Sequence, residues 1–409
     1  MKKRRTVVKI GGSLLKDANS IKKTALMIKK NYSEDEDLVV VVSAMKGETD
    51  RLKKTMEDNF VETYPEEMDL IMSVGEQESC ALMSTALKNL GRKTKTMIAH
   101  QIPIITNSNF KEARILSIDE TRIEKYLEEN KIVIVAGFQG INEDLNITTL
   151  GRGGSDLTAV AIAIAIRADI CILYKDAGGI YSADTKIPGI KPRLIKEISY
   201  DEMIELSSSG AKVVHSRAVI MAKIYNLKIG ILPESQEKKG GTVIVKEGKI
   251  CTTEKYIIES ITLDTSEALF TLFDLKDKPG IAGRVFRSLA KKEINTNIIV
   301  QNINEKPTRN LSFTVPESSI SKSEETLLNL INSEADFSRI KIDTEIAKVS
   351  LVGTGMISKP GIAADVFEIL GQNNINIKAI STSEIKISVL IEKQHGEKAV
   401  QVLHNYFCE

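Results

Sequence analysis

The sequence predicts an α/β protein: a first part with helices on both faces of a mainly parallel sheet, and a last third that holds a smaller module twice. In the first part, short apolar runs alternate with amphipathic segments, which is the order typical of βαβ units. The run Leu38–Val42 is continuously apolar, as expected for a strand buried on both faces of a parallel sheet. In the last third, the motif PGIA occurs at Pro279 and again at Pro360, 81 residues further on.

Length and composition limit the possible classes of protein. A chain of 409 residues is too long for one ordinary core, so two or three domains are expected. The formal net charge of +1 gives no electrostatic reason to expect nucleic acid or an anionic membrane as a partner. The longest apolar stretch, Leu157–Ile166, is too short to cross a membrane, and the basic start lacks the apolar core of a signal peptide. Cys80, Cys171, Cys251 and Cys408 have no metal or redox spacing, which favours reduced thiols in a cytoplasm.

The elements of the first part follow from their apolar periodicity. In chain order, the predicted strands are Thr6–Ile10, Leu38–Val42, Thr94–Ala99, Ile132–Ala136, Ile170–Tyr174 and Lys228–Leu232. The predicted helices between them are Ala18–Lys30, Met68–Leu90, Ile118–Glu129, Asp156–Arg167 and Tyr200–Ser208. Ligands of such sheets bind beyond the carboxyl ends of the strands, where the motifs KIGGS, VVSAMKGETD and TLGRGGSD fall.

The motif KIGGS places a lysine and two glycines at the end of the first strand. Glycines let backbone amides approach phosphate oxygens, and the ammonium of Lys9 can neutralise charge on a transferring phosphoryl group. The motif is neither a P-loop nor a dinucleotide fingerprint. Taken alone, a glycine pair after a strand is more often a simple turn.

The motif GRGGSD lies directly before a long apolar run, so its glycines free backbone amides at the start of a helix, where the helix dipole favours an anion. Arg152 can clamp a carboxylate through two parallel hydrogen bonds. Asp156 can cap the helix, bind an amino group or help to hold Mg²⁺. The alternative is a capped, glycine-rich loop without a ligand.

Together with EMDLIMSVGE, VAGFQG, YKDAGGIYSAD and ELSSSGAKVVHSRAV, these motifs follow the order found in the aspartate kinases of the amino-acid kinase family, which the chain resembles nearly end to end. The resemblance implies a three-layer α/β/α kinase domain. It implies transfer of the γ-phosphoryl group of MgATP to the side-chain carboxylate of L-aspartate, giving 4-phospho-L-aspartate, the first step of the lysine, threonine and methionine pathway. Mg²⁺ accompanies ATP, and no metal site of the protein's own is implied. The GGSLL opening is shared with carbamate, acetylglutamate and uridylate kinases, which stay as alternatives.

The resemblance also implies roles for individual residues. Lys9 and Asp156 are the implied catalytic residues, and Lys9 would offset negative charge between the carboxylate and ATP. Glu76 would pair with the substrate ammonium, and Arg152 would clamp the α-carboxylate. The implied substrate-binding residues are Ser43, Thr49, Glu76, Arg152 and Gly154. The implied nucleotide-binding residues are Lys9, Gly11, Gly12, Ser13, Lys175, Asp176, Tyr181, Lys186 and Lys212. Because an ionised carboxylate is already a nucleophile, positioning and charge compensation should dominate catalysis.

Two positions on the nucleotide side depart from the pattern of the family. The family usually reads D-V-D-G-x-Y where this chain has Asp176-Ala-Gly-Gly179, so Gly178 replaces a second carboxylate. At position 186 the family often has an arginine, whereas this chain has Lys186. The planar guanidinium group, which can form two parallel hydrogen bonds, is thus replaced by a single ammonium group. Both changes concern nucleotide affinity rather than the substrate clamp.

The PGIA motifs belong to a longer repeat, since Val-Phe, Leu and Ile-Asn recur after both at equal offsets. Each copy resembles the ACT domain, a ferredoxin-like (βαββαβ) regulatory module that binds amino acids and commonly pairs side by side. A paired packing module without a ligand is the alternative. Effectors in that family bind near the PG turn and the following strand. The implied effector-binding residues are Asp277, Gly280, Ala282, Asn295, Gln301, Ile362, Asn376 and Ile377.

The two copies end differently. The first ends with a strand, Ser338–Asp343, whereas the second ends at a helix, Glu397–Phe407. Tyr256–Leu263, just before the first copy, is an unassigned strand of suitable length and is predicted to close the second module. The predicted domains are therefore a kinase domain at 1–247, a first ACT domain at 265–344, and a second at 255–264 and 345–409 into which the first is inserted.

The resemblance thus implies an aspartate kinase inhibited by a downstream amino acid, lysine and/or threonine, and we expect it in the cytoplasm. ACT pairing predicts a homo-oligomer, a dimer or a dimer of dimers, with no nucleic-acid or membrane partner. The alternative from another class is a catalytically inactive protein that senses amino acids, for which Gly178 is the only support.

Overall fold

The computed structural model describes residues 3–211, 213–234, 240–246, 258–303, 308–334, 337–356 and 361–408. The chain divides into two compact units. The first comprises residues 1–180, 194–207 and 212–250, and the second comprises residues 181–193, 208–211 and 251–409. None of the helices in the described ranges has the length and apolarity needed to span a bilayer.

Strands and helices alternate through the first part of the chain. Its strands are β1 (Arg5–Ile10), β2 (Asp37–Val42), β3 (Thr94–Met97), β4 (Ile104–Thr106), β5 (Ile115–Ile118), β6 (Ile132–Ala136), β7 (Gln139–Ile141), β8 (Ile147–Thr149), β9 (Ile170–Lys175), β10 (Ile180–Tyr181), β11 (Leu194–Ile195), β12 (Glu197–Ser199), β13 (Ile229–Pro233) and β14 (Thr242–Val245). Its α-helices are α1 (Ala18–Asn31), α2 (Glu48–Asn59), α3 (Pro65–Met72), α4 (Val74–Asn89), α5 (Thr121–Glu128), α6 (Gly154–Ala165), α7 (Tyr200–Ser208) and α8 (Ser216–Tyr225).

The main sheet of the first unit has the strand order β12-β14-β13-β9-β1-β2-β6-β3. The pairs from β13 to β3 are all parallel, and only β14 runs antiparallel to its neighbour β13. The predicted α/β class with a mainly parallel sheet is confirmed. Because parallel strands end at the same edge, the loops after β1, β2, β6 and β9 meet there.

Helices cover both faces of this sheet. Val8 and Ile10 of β1 pack with α1 and α4 in one core cluster. Because successive side chains of a strand point to opposite faces, Val7 and Lys9 lie on the other face, where α6 contacts β1, β2 and β9. Helix α6 is buried along nearly its whole length. The register of β1 therefore directs Lys9 towards the start of α6.

The segment Met68–Leu90, predicted as one helix, forms two helices, α3 and α4, which meet at Ser73. The hydroxyl of Ser73 donates to the carbonyl oxygen of Leu70 at 2.8 Å, a local side-chain bond that competes with the helical pattern. The break starts a new helix at Val74, which places Glu76 in a first turn.

The second unit contains two antiparallel sheets. Its strands are β15 (Ser260–Asp264), β16 (Glu267–Lys276), β17 (Ile299–Ile303), β18 (Thr308–Pro316), β19 (Arg339–Asp343), β20 (Ile346–Val352), β21 (Ile377–Ser383) and β22 (Lys386–Glu392). Its α-helices are α9 (Ile281–Lys291), α10 (Ile320–Glu334), α11 (Ile362–Gln372) and α12 (Gly396–Phe407). The helices after the two PG turns, α9 and α11, have the same length, and each starts at a glycine N-cap in the left-handed conformation, Gly280 and Gly361.

The two sheets have the same arrangement, β17-β18-β16-β19 and β21-β22-β20-β15. In the first sheet the strand next to β16 is β19, which ends the same copy. In the second sheet the equivalent place beside β20 is taken by β15, which precedes the first copy in the chain. Tyr256, where we expected this strand to begin, lies outside the described residues, and the strand spans Ser260–Asp264.

Residues 181–193 pack in the second unit, although in sequence they lie between strands of the first. The carbonyl oxygen of Ser182 accepts from the backbone N–H of Ile261 at 2.8 Å. The hydroxyl of Ser182 lies 2.8 Å from Nε2 of His404, and both residues are completely buried. Ala183 and Ile187 join the apolar core of the same unit.

Candidate active site

Asp156 lies between two lysines at the carboxyl edge of the main sheet. It occupies the first turn of α6 and is 2% exposed. Its Oδ1 is 3.0 Å from Nζ of Lys9, and its Oδ2 is 2.6 Å from Nζ of Lys175. The two lysines come from the ends of β1 and β9, which are parallel neighbours. The structure thus brings together three of the predicted site residues.

The electrostatics of this triad depend on both lysines. Burial alone would raise the pKa of Asp156, but the charges of Lys9 and Lys175 outweigh burial and the pKa is lowered. Burial lowers the pKa of Lys175, with Asp156 opposing this effect and Lys9 adding to it. One carboxylate between two ammonium groups leaves a net positive charge at the sheet edge, which favours an anion such as phosphate.

Gly11 and Gly12 bring the backbone close to this centre. A Cβ on Gly11 would lie 3.5 Å from Nζ of Lys9, and a Cβ on Gly12 would lie 2.9 Å from the carbonyl oxygen of Ala44. The Gly12 position therefore has no room for a side chain. The hydroxyl of Ser13, the next residue, donates to the carboxylate of Glu234.

Glu76 is a buried carboxylate with one unused acceptor. It is 3% exposed, and its Oε1 accepts from the N–H of Ala44 at 3.0 Å. Its Oε2 is also buried and has no hydrogen-bond partner in the described part of the chain. Burial raises the pKa of Glu76 to about 8, opposed by the backbone amides of Ala44 and Glu76 and by the charge of Lys9. Such a group is suited to accept from a cationic donor such as an ammonium group.

The loop after β2 adjoins Glu76. Ser43 donates its N–H to the carbonyl oxygen of Ile10 at 3.1 Å and is followed by Ala44, which binds Glu76. A Cβ on Gly75 would lie 2.7 Å from the Cβ of Ala44, so this glycine allows α4 to approach the loop closely. Thr49, in the first turn of α2, is half-buried, as is Ser43. The predicted residues Ser43 and Glu76 are therefore neighbours.

The glycine-rich loop before α6 has a special backbone conformation. Gly151 (φ 78°) and Gly153 (φ 74°) are both in the left-handed region that favours glycine. Arg152, between them, is exposed, and its guanidinium makes no hydrogen bond or ion pair with any described residue. A Cβ on Gly154 would lie 2.9 Å from Leu150 and from Phe138, so this position also requires glycine.

Asp176 follows β9 and is exposed, with its Oδ1 accepting from the N–H of Ala177 at 3.0 Å. Gly178 has φ 73°, and its Cβ would lie 3.0 Å from the Cβ of Pro233. A side chain at this position would thus be strained by the positive φ and crowded by Pro233, so the backbone of this chain favours glycine here. Tyr181 and Lys186 belong to the segment 181–193 of the second unit. Lys212 lies outside the described residues.

The predicted effector residues lie at equivalent places in the two copies. Gly280, Ala282 and Ile362 lie at the starts of α9 and α11. Asn295 and Asn376 are exposed on the loops after these helices, and Gln301 and Ile377 lie on the following strands, β17 and β21. The carboxylate of Asp277 accepts from Nε and Nη2 of Arg309 at 2.7 and 2.8 Å, so an internal pair already engages it.

Two charged residues near the glycine-rich loop were not singled out from the sequence. Asp69 accepts hydrogen bonds from Thr149 and Lys111, and Arg217 donates to the carbonyl oxygens of Leu150 and Ala113. The available signal for Asp69 was a carboxylate inside the apolar run Met68–Met72. The backbone partners of both side chains could not be read from the sequence.

Within the described ranges, no group of three or more His, Cys, Asp or Glu side chains is placed to hold a metal ion. The three cysteines in these ranges, Cys80, Cys171 and Cys408, are buried and not in disulfides. Cys251 lies outside them.

Comparison with protein families gives two matches. The model of the amino acid kinase family matches residues 4–232, and a model of the ACT domain matches residues 274–328 and 349–407. An aspartokinase of Helicobacter pylori (strain 26695) is 42% identical over 400 residues, which cover 97% of this chain and 98% of that protein. An aspartate kinase of Pseudomonas putida is 39% identical over 401 residues, covering 98% and 97%.

Solved structures agree with these matches. The structure of Escherichia coli aspartokinase III in complex with aspartate and ADP, in the R-state, superposes with a TM-score of 0.84 at 22% identity, over 99% of this chain and 100% of that chain, which shows the shared fold. The aspartate kinase of Synechocystis gives a TM-score of 0.54 at 35% identity, over 98% of this chain and 69% of that one. A family match over more than half of the chain, with relatives close to 40% identical along nearly all of it, shows that the chain belongs to the amino acid kinase family, among the aspartate kinases, and carries C-terminal ACT domains.

Proposed function

We propose that the protein is an aspartate kinase that transfers the γ-phosphoryl group of MgATP to the side-chain carboxylate of L-aspartate. A carboxylate oxygen forms a bond to the γ-phosphorus while the bond from that phosphorus to the β–γ bridging oxygen breaks. The products are 4-phospho-L-aspartate and ADP. No proton is transferred, because the attacking carboxylate is already ionised.

The observation that carries this proposal is the triad of the buried Asp156 and Lys9 with the half-buried Lys175. Phosphoryl transfer needs little covalent help from a protein, so charge compensation and positioning dominate its catalysis. The carboxylate of Asp156 contacts both lysines and holds their ammonium groups at fixed points. We assign Lys9 and Lys175 to the charge of the transferring group, and Asp156 to orienting both. The amides of Gly11, Gly12 and Ser13 complete the phosphate side.

Recognition of L-aspartate follows from the neighbouring groups. We assign the substrate ammonium to Glu76, whose buried Oε2 has no partner among the described residues, and the α-carboxylate to the exposed guanidinium of Arg152. Ser43, Thr49 and Gly154 line the remainder of this subsite. The carboxylate of Glu76 would bind a free ammonium group. Carbamate and an N-acetylated amino acid lack this group, so we expect them to be poorer substrates than L-aspartate.

On the nucleotide side we assign Asp176, Tyr181, Lys186 and Lys212 to contacts with ATP. Mg²⁺ arrives as part of the MgATP substrate, since this ion is usually held by substrate phosphates and one or two carboxylates. Asp176 is exposed after β9 and is suited to face such a complex.

We further propose that lysine and/or threonine inhibits the enzyme through the ACT domains, at the effector positions around Gly280, Ile362 and the strands that follow. The common strand order of the two sheets and their left-handed glycine N-caps support two equivalent regulatory modules. The proposed limits are 1–247 for the kinase domain, 265–344 for the first ACT domain, and 255–264 with 345–409 for the second. ACT pairing makes the enzyme a dimer or a dimer of dimers, in the cytoplasm.

The alternative of a catalytically inactive amino-acid sensor rested on Gly178. The left-handed backbone of this residue and the closeness of Pro233 give Gly178 a structural reason of its own. The complete triad argues for catalysis, since a sensor has no use for a buried Lys9 and a half-buried Lys175 held beside one carboxylate.

The deciding experiment measures ADP release and traps the acyl phosphate with hydroxylamine, with L-aspartate, succinate or no acceptor. Turnover should require L-aspartate, and succinate, which lacks the ammonium group, should be a poor substrate. Lys175→Met should lower kcat by on the order of 100-fold, as loss of one preorganised charge typically does. Lys30→Met, which changes an exposed lysine on α1, should leave kcat unchanged. ADP release that is independent of L-aspartate would refute the proposal.

A further inference from the structure

The loop that carries Arg152 is held by two charged side chains with no assigned role. Its segment Thr149–Gly153 includes two left-handed glycines, and its exposed arginine makes no hydrogen bond or ion pair with the described residues. The loop runs beside a second segment, Lys111–Ala113, and the N–H of Ala113 donates to the carbonyl oxygen of Thr149 at 2.9 Å. Two side chains, those of Asp69 and Arg217, each bind backbone groups of both segments.

Asp69, on α3, binds both segments from the amide side. Its carboxylate is completely buried and accepts from the N–H of Lys111 at 2.9 Å (Oδ2) and 3.1 Å (Oδ1). It also accepts from the N–H of Thr149 at 2.7 Å and from the hydroxyl of Thr149 at 2.8 Å. Hydrogen bonds to an ionised acceptor are about twice as strong as those between neutral groups. A buried carboxylate whose partners are Lys111 and Thr149, one in each segment, fixes the two segments relative to α3.

Arg217, in the first turn of α8, binds the same segments from the carbonyl side. Its Nη1 donates to the carbonyl oxygen of Leu150 at 2.9 Å, and its Nη2 donates to that of Ala113 at 2.8 Å. His215, at the N-cap of the same helix, packs on the loop: a Cβ on Gly153 would lie 2.9 Å from the Cβ of His215. Two of the five N–H groups of the Arg217 guanidinium are therefore bound to backbone carbonyl oxygens of these two segments.

We infer that Asp69 and Arg217 are positioning residues that hold Arg152 in place for the α-carboxylate of the substrate. The carboxylate satisfies N–H groups and the guanidinium satisfies C=O groups of the same two segments, so the loop is fixed from both sides before any ligand binds. Loss of these hydrogen bonds should leave the triad of Lys9, Asp156 and Lys175 intact but displace the guanidinium of Arg152. Even a small displacement of a substrate-binding group can weaken substrate positioning strongly. The inference rests on the proposed role of Arg152 in L-aspartate binding.

Thr149→Val provides a mild test, because it removes only the hydroxyl bond to Asp69 and keeps the size of the side chain. We expect the KM for L-aspartate to rise about tenfold, while the KM for ATP and kcat stay within about twofold. Thr149→Ser keeps the hydroxyl and should restore the wild-type KM. Thr148→Val is the matched control: Thr148 is also completely buried on β8, but its hydroxyl binds Thr106, at 2.6 Å. Its KM for L-aspartate should not change.

A double-mutant cycle with Arg152→Lys separates positioning from general destabilisation. If Thr149 and Asp69 act through Arg152, Thr149→Val should raise the KM for L-aspartate by less than about twofold in the Arg152→Lys background. Multiplicative effects of the two changes, or a wild-type KM in Thr149→Val, would overturn the inference. Asp69→Asn and Arg217→Met should give larger changes of the same kind if they fold.

Hydrogen exchange of the ligand-free enzyme keeps this test distinct from that of the proposed function. The amides of Lys111 and Thr149 should exchange faster in Thr149→Val than in Thr148→Val, with the rest of the first unit unchanged. Equal exchange would refute the support of the loop, whatever the activity. If the wild-type enzyme fails to phosphorylate L-aspartate while exchange changes as expected, the proposed function falls and the structural part of the inference stands.

Discussion

Glu76 gives the most quantitative prediction, because the proposed assignment of the substrate ammonium to Glu76 requires its ionisation to change when L-aspartate binds. Burial raises the pKa of Glu76 to about 8 in the ligand-free protein, so at neutral pH the side chain is mostly protonated. A substrate ammonium beside Oε2 requires the ionised form. Binding at neutral pH should therefore release a proton from Glu76, and affinity should follow the fraction of enzyme in which Glu76 is ionised.

The size of the effect follows from this pKa. About one tenth of the ligand-free enzyme has Glu76 ionised at pH 7, and about one hundredth at pH 6. An apparent dissociation constant is the intrinsic one divided by the competent fraction. The KM for L-aspartate should therefore fall about tenfold from pH 6 to pH 7, fall further to pH 8, and then level off. Binding at pH 7 should release about 0.9 proton.

The assay is calorimetry of L-aspartate binding in the presence of ADP, at one pH and in buffers of different ionisation enthalpy, which counts the protons released. Initial rates at saturating MgATP between pH 6 and pH 8.5 give the KM profile. Glu76→Gln is the control: it should bind L-aspartate weakly, release no proton and lose the slope. A flat KM profile in the wild type, or the same slope in Glu76→Gln, would refute the assignment of the ammonium to Glu76.

The same ionisation should appear in stability. A carboxyl group whose pKa is higher in the folded than in the unfolded state binds more protons when folded, so the free energy of unfolding falls as pH rises from about 4.5 to about 8. The full effect of this pKa difference is on the order of 5 kcal/mol. Glu76→Gln should therefore be more resistant to denaturant than the wild type at pH 8, but not at pH 4.5.

The remaining predictions concern the triad, the glycine turn and regulation. Lys9→Met should lower kcat by on the order of 100-fold with little change in the KM for L-aspartate, and an unchanged kcat would remove Lys9 from the mechanism. Gly178→Ala should lower the free energy of unfolding by about 1 kcal/mol more than Gly91→Ala, because both glycines have positive φ but, of the two, Gly178 alone has a close neighbour, Pro233, that an added Cβ would crowd. Equal losses would contradict this contact as the cause. Ser182→Ala removes the buried hydrogen bond to His404. We expect this variant to keep kinase activity, while the concentration of lysine or threonine needed for half-inhibition rises at least several-fold. An unchanged concentration would exclude the segment 181–193 from feedback.

The sequence was most informative about the sheet of the first unit. Strands such as Ile132–Ala136 are buried on both faces, so their apolar runs are continuous and their bounds are sharp. Helix α2 was not predicted, since only Leu52 among its residues is buried and the segment has little apolar periodicity. Helix α8 was also not predicted. It has more apolar residues than α2, but they are not confined to one face, and Ile220 and Ile224 are exposed.

The candidate site was predictable where a motif carried the chemistry. Lys9, Asp156 and Lys175 lie at strand ends or at the start of a helix after glycines, and parallel topology brings such positions together. The role of Asp69 depends on backbone groups of Thr149 and Lys111, which have no signature in the side-chain sequence. Hydrogen bonds to backbone atoms depend on the folded path of the loops. The residues that support the loop could therefore be identified only from the structure.

Burial acts in the same direction on Asp156 and Glu76, yet their pKa values move in opposite directions. Asp156 is compensated by the charges of two lysines, and its pKa is lowered. The carboxyl group of Glu76 accepts a hydrogen bond from the N–H of Ala44, and the charge of Lys9 lowers its pKa only weakly. Burial therefore dominates, and the pKa of Glu76 rises to about 8. Two carboxylates whose environments separate their pKa values can take separate roles. In the roles proposed above, Asp156 stays ionised and orients the lysines, whereas Glu76, which is mostly protonated at neutral pH without ligand, is ionised in the complex with the substrate ammonium. At neutral pH the ligand-free site thus mostly avoids an uncompensated buried charge at Glu76, and under the proposed assignment the ionisation of Glu76 should make binding depend on the amine that distinguishes L-aspartate from succinate.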